Sequence, residues 1–186
     1  MGRTHDDIQD ELLVLQFQGG DSEALKALIG RWQPRLARLA WRLTCEREVT
    51  RDIVQDTWLA IVRGLKRLDD PARFRVWAYR IVRNKCADWT RRRAAQRGVA
   101  GNPREESGLN SRERSNQADS AGDVDRLREA LLGIGAEPRA VLSLYYLDDM
   151  SIAEIAQVLE VPMGTVKSRL FHARGRLKAA FERIET

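Results

Sequence analysis

Arg80, Arg83, Asn84 and Arg91 recur at a spacing that lines three guanidinium groups and one amide along a single side of a helix. Such a stripe suits a track of phosphates with some reading of base edges. Lys85 and Asp88 lie beside it, and Arg73 precedes it. Three aromatic rings interleave: Trp77, Tyr79 and Trp89, surfaces on which unpaired bases stack. The apolar series Phe74, Trp77, Ala78, Ile81, Val82, Cys86 and Trp89 claims two of them for a core, which leaves Tyr79 as the better stacking ring.

A second constellation lies near the C-terminus. Thr165, Lys167, Ser168, Arg169, Phe171 and His172 follow a short Glu160-Val161-Pro162 turn, and Arg174, Arg176 and Lys178 come after them. Early residues of such a helix reach base edges while later cations meet phosphates. Phe171 admits two roles, packing at the edge of the core or touching a thymine methyl. A third group, Asp52, Gln55 and Asp56, keeps two like charges at i and i+4, which costs a few tenths of a kcal/mol. Simple solubilisation is the reading these three favour alone; a basic partner is the other.

Charge distribution sharpens the picture. Between Arg73 and Arg97 nine cations face one acid, Asp88, for a charge of +8, and from Met163 onward six cations face two acids, for +4. The whole chain of 186 residues carries only +5, so the remainder is acidic. Two basic stretches on an acidic background fit two contacts with a polyanion, or equally two solvated helix faces.

Other chemistry is poorly supplied. Cys45 and Cys86 form no C-x-x-C pair and read as ordinary thiols, and His5 and His172 sit beside no cysteine or carboxylate cluster. No metal site, cofactor or catalytic residue is expected, since the phosphate-loop, dinucleotide and nucleophile-elbow patterns are also lacking. Met1 to Leu15 carries Asp6, Asp7, Asp10 and Glu11 with no signal-peptide core, and no apolar run reaches membrane-spanning length. The expectation is a cytoplasmic chain with no membrane insertion.

The elements that must hold these residues are helices. Asp6 to about Arg93 shows no alternating run and no hairpin dipeptide, with breaks at Gly19-Gly20-Asp21 and Asp69-Asp70-Pro71. Asp21 or Ser22 can cap the helix after the first break. From about Gln96 to Asp125 almost nothing is apolar, so the segment reads as a flexible linker unable to offset its ordering entropy. Helical periodicity returns from Val124. Within it Ser151-Ile152-Ala153-Glu154 makes a capping box. Ile155, Ala156 and Leu159 face Val166, Leu170, Ala173 and Leu177 across the short turn. This is the content of a helix-turn-helix. The fold class is all-α: two small helical domains, 1–95 and 126–186, joined by a flexible linker at 96–125.

Three motifs in this order resemble the sigma-70 family, and within it the compact extracytoplasmic-function (ECF) group. Asp52-Ile53-Val54-Gln55-Asp56-Thr57-Trp58 looks like the polymerase-clamp helix of region 2.2. The run Phe74 to Trp89 is similar to the −10 reading segment of region 2. Gly164-Thr165-Val166-Lys167-Ser168-Arg169-Leu170, with Ala173-Arg174, resembles the −35 recognition helix of region 4.2. His172 departs from the pattern, an arginine being frequent there.

The resemblance implies a transcription initiation factor, not an enzyme. Asp52, Gln55 and Asp56 would dock on the β′ clamp coiled coil of core RNA polymerase, with the β flap a second contact. The 66–73 loop, with Arg73, and the face carrying Tyr79, Arg80, Arg83, Asn84, Lys85, Asp88 and Arg91 would capture the −10 element of promoter DNA. There a base leaves the stack at a cost of a few kcal/mol. Thr165, Lys167, Ser168, Arg169, Phe171, His172 and Arg174 would read the −35 element. An anti-sigma factor is a further partner common in the group. Promoter elements two turns apart lie about 70 Å from one another. A 30-residue coil averages about 30 Å and reaches about 100 Å stretched. The linker is thus expected to extend on polymerase. Rival readings are a free-standing helix-turn-helix regulator, a polymerase adaptor and, remotely, a nucleic-acid-processing enzyme.

Overall fold

The computed structural model describes residues 5–96, 129–131 and 133–184, and among them every regular element is helical. The linker expected at 96–125 lies, apart from Gln96, outside the described residues. The chain divides into two compact units, with the boundary at the end of the fourth helix, near Arg93.

The first unit holds α1 (His5–Gln18), α2 (Ser22–Thr44), α3 (Arg47–Leu65), a 3-10 turn (Pro71–Arg73) and α4 (Phe74–Gln96). The breaks have local causes. Gly20 takes φ of 104°, and the Asp21 carboxylate accepts from the Glu23 N–H at 2.8 Å, capping α2. Cys45 ends α2 in the left-handed region at φ 57°. Asp70 caps the 3-10 turn by accepting from the Ala72 N–H at 3.1 Å, with Pro71 at its entrance.

Trp32 of α2 is fully buried at the centre of this unit, edge-on to Phe74 at 5.2 Å and to Tyr79 at 5.6 Å. Each such ring pair contributes about 1 kcal/mol beyond its burial. Leu28, Leu36 and Leu39 of α2, Ile61 and Leu65 of α3 and Val82 and Cys86 of α4 complete the core. Gly64 of α3 lets Trp77 approach closely: a Cβ there would lie 2.8 Å from Cζ2 of Trp77, so the indole would have to shift. The indole lies across α3 where that glycine removes the side chain. Charge fixes α1 to its neighbours: Arg31 Nε donates to the buried Asp10 carboxylate at 2.8 Å, and Arg35 donates to Asp6 at 2.7 Å.

The second unit holds α5 (Ala136–Tyr146), α6 (Ile152–Leu159) as far as Ala156, and α7 (Met163–Ile184), with α5 packed on α7. The capping box forms: the Glu154 N–H donates to Ser151 Oγ at 3.2 Å, and the Ser151 N–H donates to Glu154 Oε2 at 2.8 Å. Glu160 then turns the chain at φ 56°, and the Val161 N–H closes the end of α6 on the Ala156 carbonyl at 3.1 Å. This six-to-one bond is the Schellman closure, here made without glycine. Pro162 precedes α7 and its carbonyl accepts the first helical bonds, from Thr165 and Val166. Ile155, Leu159, Val166, Leu170 and Ala173 are buried, whereas Ala156 and Leu177 are half-buried.

Candidate nucleic-acid interface

On α3 the side chains of Asp52, Gln55 and Asp56 are exposed. They share that face with Leu59, 48 % exposed, and Val62, 40 % exposed. Both are apolar side chains that a soluble helix face would ordinarily turn inward. The i, i+3, i+7, i+10 series Asp52, Gln55, Leu59, Val62 is the sequence signal that the four share a face. Trp58 is half-buried and its indole N–H donates to the Gln33 side chain.

On α4 the expected stripe holds at Phe74, Ala78, Val82 and Cys86, which are buried, but Tyr79 joins it. Tyr79 is only 2 % exposed and packs on Trp32, so its ring offers no free stacking face. Tyr79, Val82 and Cys86 themselves stand at i, i+3, i+7, and that series carries the buried side. Trp77 and Trp89, expected in the core, are half-buried instead. Trp77 stands in line with Arg80, Asn84 and Arg91, at i, i+3, i+7 and i+14, so an aromatic ring borders the cationic stripe after all.

Arg73, Arg80 and Arg91 are exposed; Arg83, Asn84, Lys85 and Asp88 are half-buried. The Arg83 guanidinium donates to Asn84 Oδ1 at 3.0 Å, which orients the amide. Arg91 pairs with Asp88, one turn earlier. Lys85 leans the other way, its Nζ 3.6 Å from Asp56 Oδ2. A cleft of about 200 Å³ lies between α3 and α4, walled by Asp52, Asp56, Lys85, Asp88, Trp89 and Arg92 among others. Arg93 covers the Trp89 ring at 5.0 Å and pairs with Glu46.

On α7, Lys167, Ser168, Phe171, His172 and Arg174 are exposed and Thr165 and Arg169 half-buried. Phe171 is 72 % exposed, which removes the core-edge reading. Ser168 Oγ donates to the Thr165 carbonyl at 3.0 Å. Arg169 lies 3.8 Å from Glu137 of α5, and the Arg174 guanidinium lies over the rings of Tyr145 and Tyr146 at 5.7 and 5.5 Å. An apolar groove of about 510 Å³ runs between α5 and α7, lined by Leu142, Tyr146, Leu177 and Phe181 with Arg174, Lys178 and Glu182 at its rim.

Among the described residues no group of histidines, cysteines or acids could hold a metal ion, and no helix is long and apolar enough to cross a membrane. Burial pushes the Cys86 thiol up to about 12, which suits a packing residue and not a nucleophile.

Comparison with known proteins identifies the family. The family model for Sigma-70 region 2 matches residues 28–96, and that for Sigma-70, region 4 matches residues 125–177. The ECF RNA polymerase sigma-E factor of Escherichia coli is 31 % identical over 176 residues, covering 90 % of this chain and 91 % of that protein. The ECF RNA polymerase sigma factor SigL of Mycobacterium tuberculosis is 32 % identical over 165 residues, covering 88 % and 92 %. Among solved structures, CnrH in complex with the cytosolic domain of CnrY is 28 % identical, with a TM-score of 0.66 over 94 % of this chain and 98 % of that one. The sigma factor RpoE of Bartonella quintana, in complex with the anti-sigma factor NepR, shares the fold at 22 % identity and a TM-score of 0.69, covering 85 % and 96 %. The chain therefore belongs to the sigma-70 family, in its ECF group: it is a non-enzymatic RNA polymerase sigma factor that binds core polymerase, directs it to promoters and promotes DNA opening.

Proposed function

We propose that the work is divided among three exposed helix faces. Asp52, Gln55 and Asp56 dock on the basic coiled coil of the polymerase β′ clamp, and Leu59 and Val62 add apolar contact area to the same seam. Arg73, Arg80, Arg83, Asn84, Lys85, Asp88 and Arg91 hold the −10 element, with Trp77 in the stacking role first given to Tyr79. Thr165, Lys167, Ser168, Arg169, Phe171, His172 and Arg174 lie in the major groove at −35. The groove between α5 and α7 receives the β flap. Residues 1–95 form the polymerase-binding and melting domain and 126–186 the −35 reader, tethered through 96–125.

The single observation that supports this division is that α4 and α7 belong to different units and each carries an exposed cationic face. Two grips on one polyanion need two such faces and no hydrolytic chemistry, since opening is driven by binding energy. The site of action is the cytoplasm, where polymerase is. One of the similar structures is a complex with an anti-sigma factor. We extend that kind of partner to this chain as the means of holding it inactive.

In-vitro transcription with purified core enzyme tests the reading. Start-site mapping should yield one set of promoters sharing two elements. Replacing Lys167 and Arg169 by alanine should abolish these transcripts while core binding persists. An adaptor would keep its activity, and a free-standing repressor would bind its operator tightly without core.

A further inference from the structure

The reading helix α7 does not stand alone. Its cations at two positions are met by side chains of α5, one near each end of that helix. At the N-terminal end Glu137 lies 3.8 Å from the Arg169 guanidinium. At the C-terminal end Tyr145 and Tyr146, themselves edge-to-face at 4.9 Å, lie under the Arg174 guanidinium. Both contacts fall within one unit, and α5 is anchored by buried Val141, Leu142 and Leu144.

We infer that Glu137 and Tyr146 are positioning residues for −35 recognition, holding Arg169 and Arg174 in place before DNA arrives. An arginine side chain has many rotamers to lose on binding, and a long cation free to swing finds phosphates as readily as base edges. A carboxylate on one guanidinium and a ring face under the other restrict that search, so less ordering is left for the moment of binding. The two devices act differently. Glu137 stays beside Arg169 and repels phosphate oxygens that approach the guanidinium, whereas a base edge carries no net charge for it to repel. Tyr146 repels neither, because the face of a ring leaves the guanidinium edge free for a phosphate or a base. Sequence discrimination at −35 thus depends on two residues that lie outside the recognition helix.

This rests on the assignment of α7 to the −35 element. Its test uses holoenzyme, on a promoter duplex recovered by start-site mapping and on the same duplex with a scrambled −35 element. The quantity read is the ratio of the two affinities, alongside the melting temperature of the free factor. Glu137 and Tyr146 are 71 % and 53 % exposed, so substitution should leave the fold in place. Tyr146→Ala should reduce the ratio about two- to fivefold, and Tyr146→Phe, which keeps the ring face, should restore it. Glu137→Gln should tighten binding to the scrambled duplex and lower the ratio without weakening the promoter complex. If Arg169→Ala and Arg174→Ala reduce the ratio while Tyr146→Ala and Glu137→Gln leave it unchanged, the positioning role is wrong. If the two arginine variants are themselves silent, it is the −35 assignment of α7 that fails.

Discussion

Asp56 and Lys85 face each other across the α3–α4 cleft at 3.6 Å, so the acid face proposed for polymerase and the basic face proposed for DNA meet in one ion pair. The pair is open to water, its two side chains 64 % and 30 % exposed, and a pair so placed stabilises by at most about 1 kcal/mol. Neither partner is committed to the fold. Asp56→Arg should therefore leave the melting temperature within a few degrees of wild type and abolish binding to core polymerase. Pull-down with core and a thermal melt on the same sample read both. Unchanged affinity for core would remove Asp56 from the docking surface.

Asp10 is the opposite case. It is 4 % exposed and holds Arg31 at 2.8 Å, where the guanidinium is also within 3.4 Å of Asp6. Removing one partner of a largely buried pair leaves the other charge short of solvent and of counter-charge. Asp10→Ala should cost about 2 kcal/mol, discounted for the partial exposure of Arg31. Urea titration measures it, and hydrogen exchange should show α1 loosening first. Asp6 adds a pH dependence. Its hydrogen bond to Arg35, then that to Arg31, hold its carboxyl below the usual value of 3.8. Its contribution is complete above about pH 4 and fades as the pH falls below that.

The Cys86 thiol gives a second pH window. Burial raises it from 9.0 to about 12, so the native state resists forming the thiolate that the unfolded chain forms readily. The contribution to stability is full below pH 9 and is lost as the pH climbs towards 12. At neutral pH, iodoacetamide should label Cys86 only as fast as the unit opens, with peptide mapping to separate it from Cys45. Prompt labelling of native protein at Cys86 would contradict the packing.

Much of the architecture was legible because local signals coincide with global ones. The Gly20-Asp21 break, the Asp70-Pro71 turn and the Ser151–Glu154 box each state a helix end in side-chain chemistry, and each forms. The division of α2 from α3 was not legible, because Cys45 makes its left-handed turn with no glycine to announce it. α4 hid the burial of Tyr79 for a related reason. Its tryptophans drew the apolar face towards Trp77 by size, whereas the partner that decides the face is Trp32, 42 positions earlier than Phe74. Pairings such as Arg174 with Tyr146 or Asp56 with Lys85 join different helices, and one sequence carries no record of them.

The corrected face of α4 makes a prediction that separates two aromatic residues. Tyr79 is core: its ring is 2 % exposed and edge-on to Trp32. Tyr79→Ala should open a cavity and cost about 3–5 kcal/mol, as aromatic truncations in cores do. Any loss of DNA binding would then follow from unfolding. Trp77 is half-buried beside Arg80 and Asn84, with its far edge resting over Gly64. Trp77→Ala should cost less in stability yet weaken holoenzyme binding to a single-stranded −10 oligonucleotide by about 1–3 kcal/mol, the range for one stacked base. Chemical denaturation and fluorescence anisotropy on both variants distinguish the roles. A folded Tyr79→Ala protein with impaired −10 binding would return the stacking role to Tyr79.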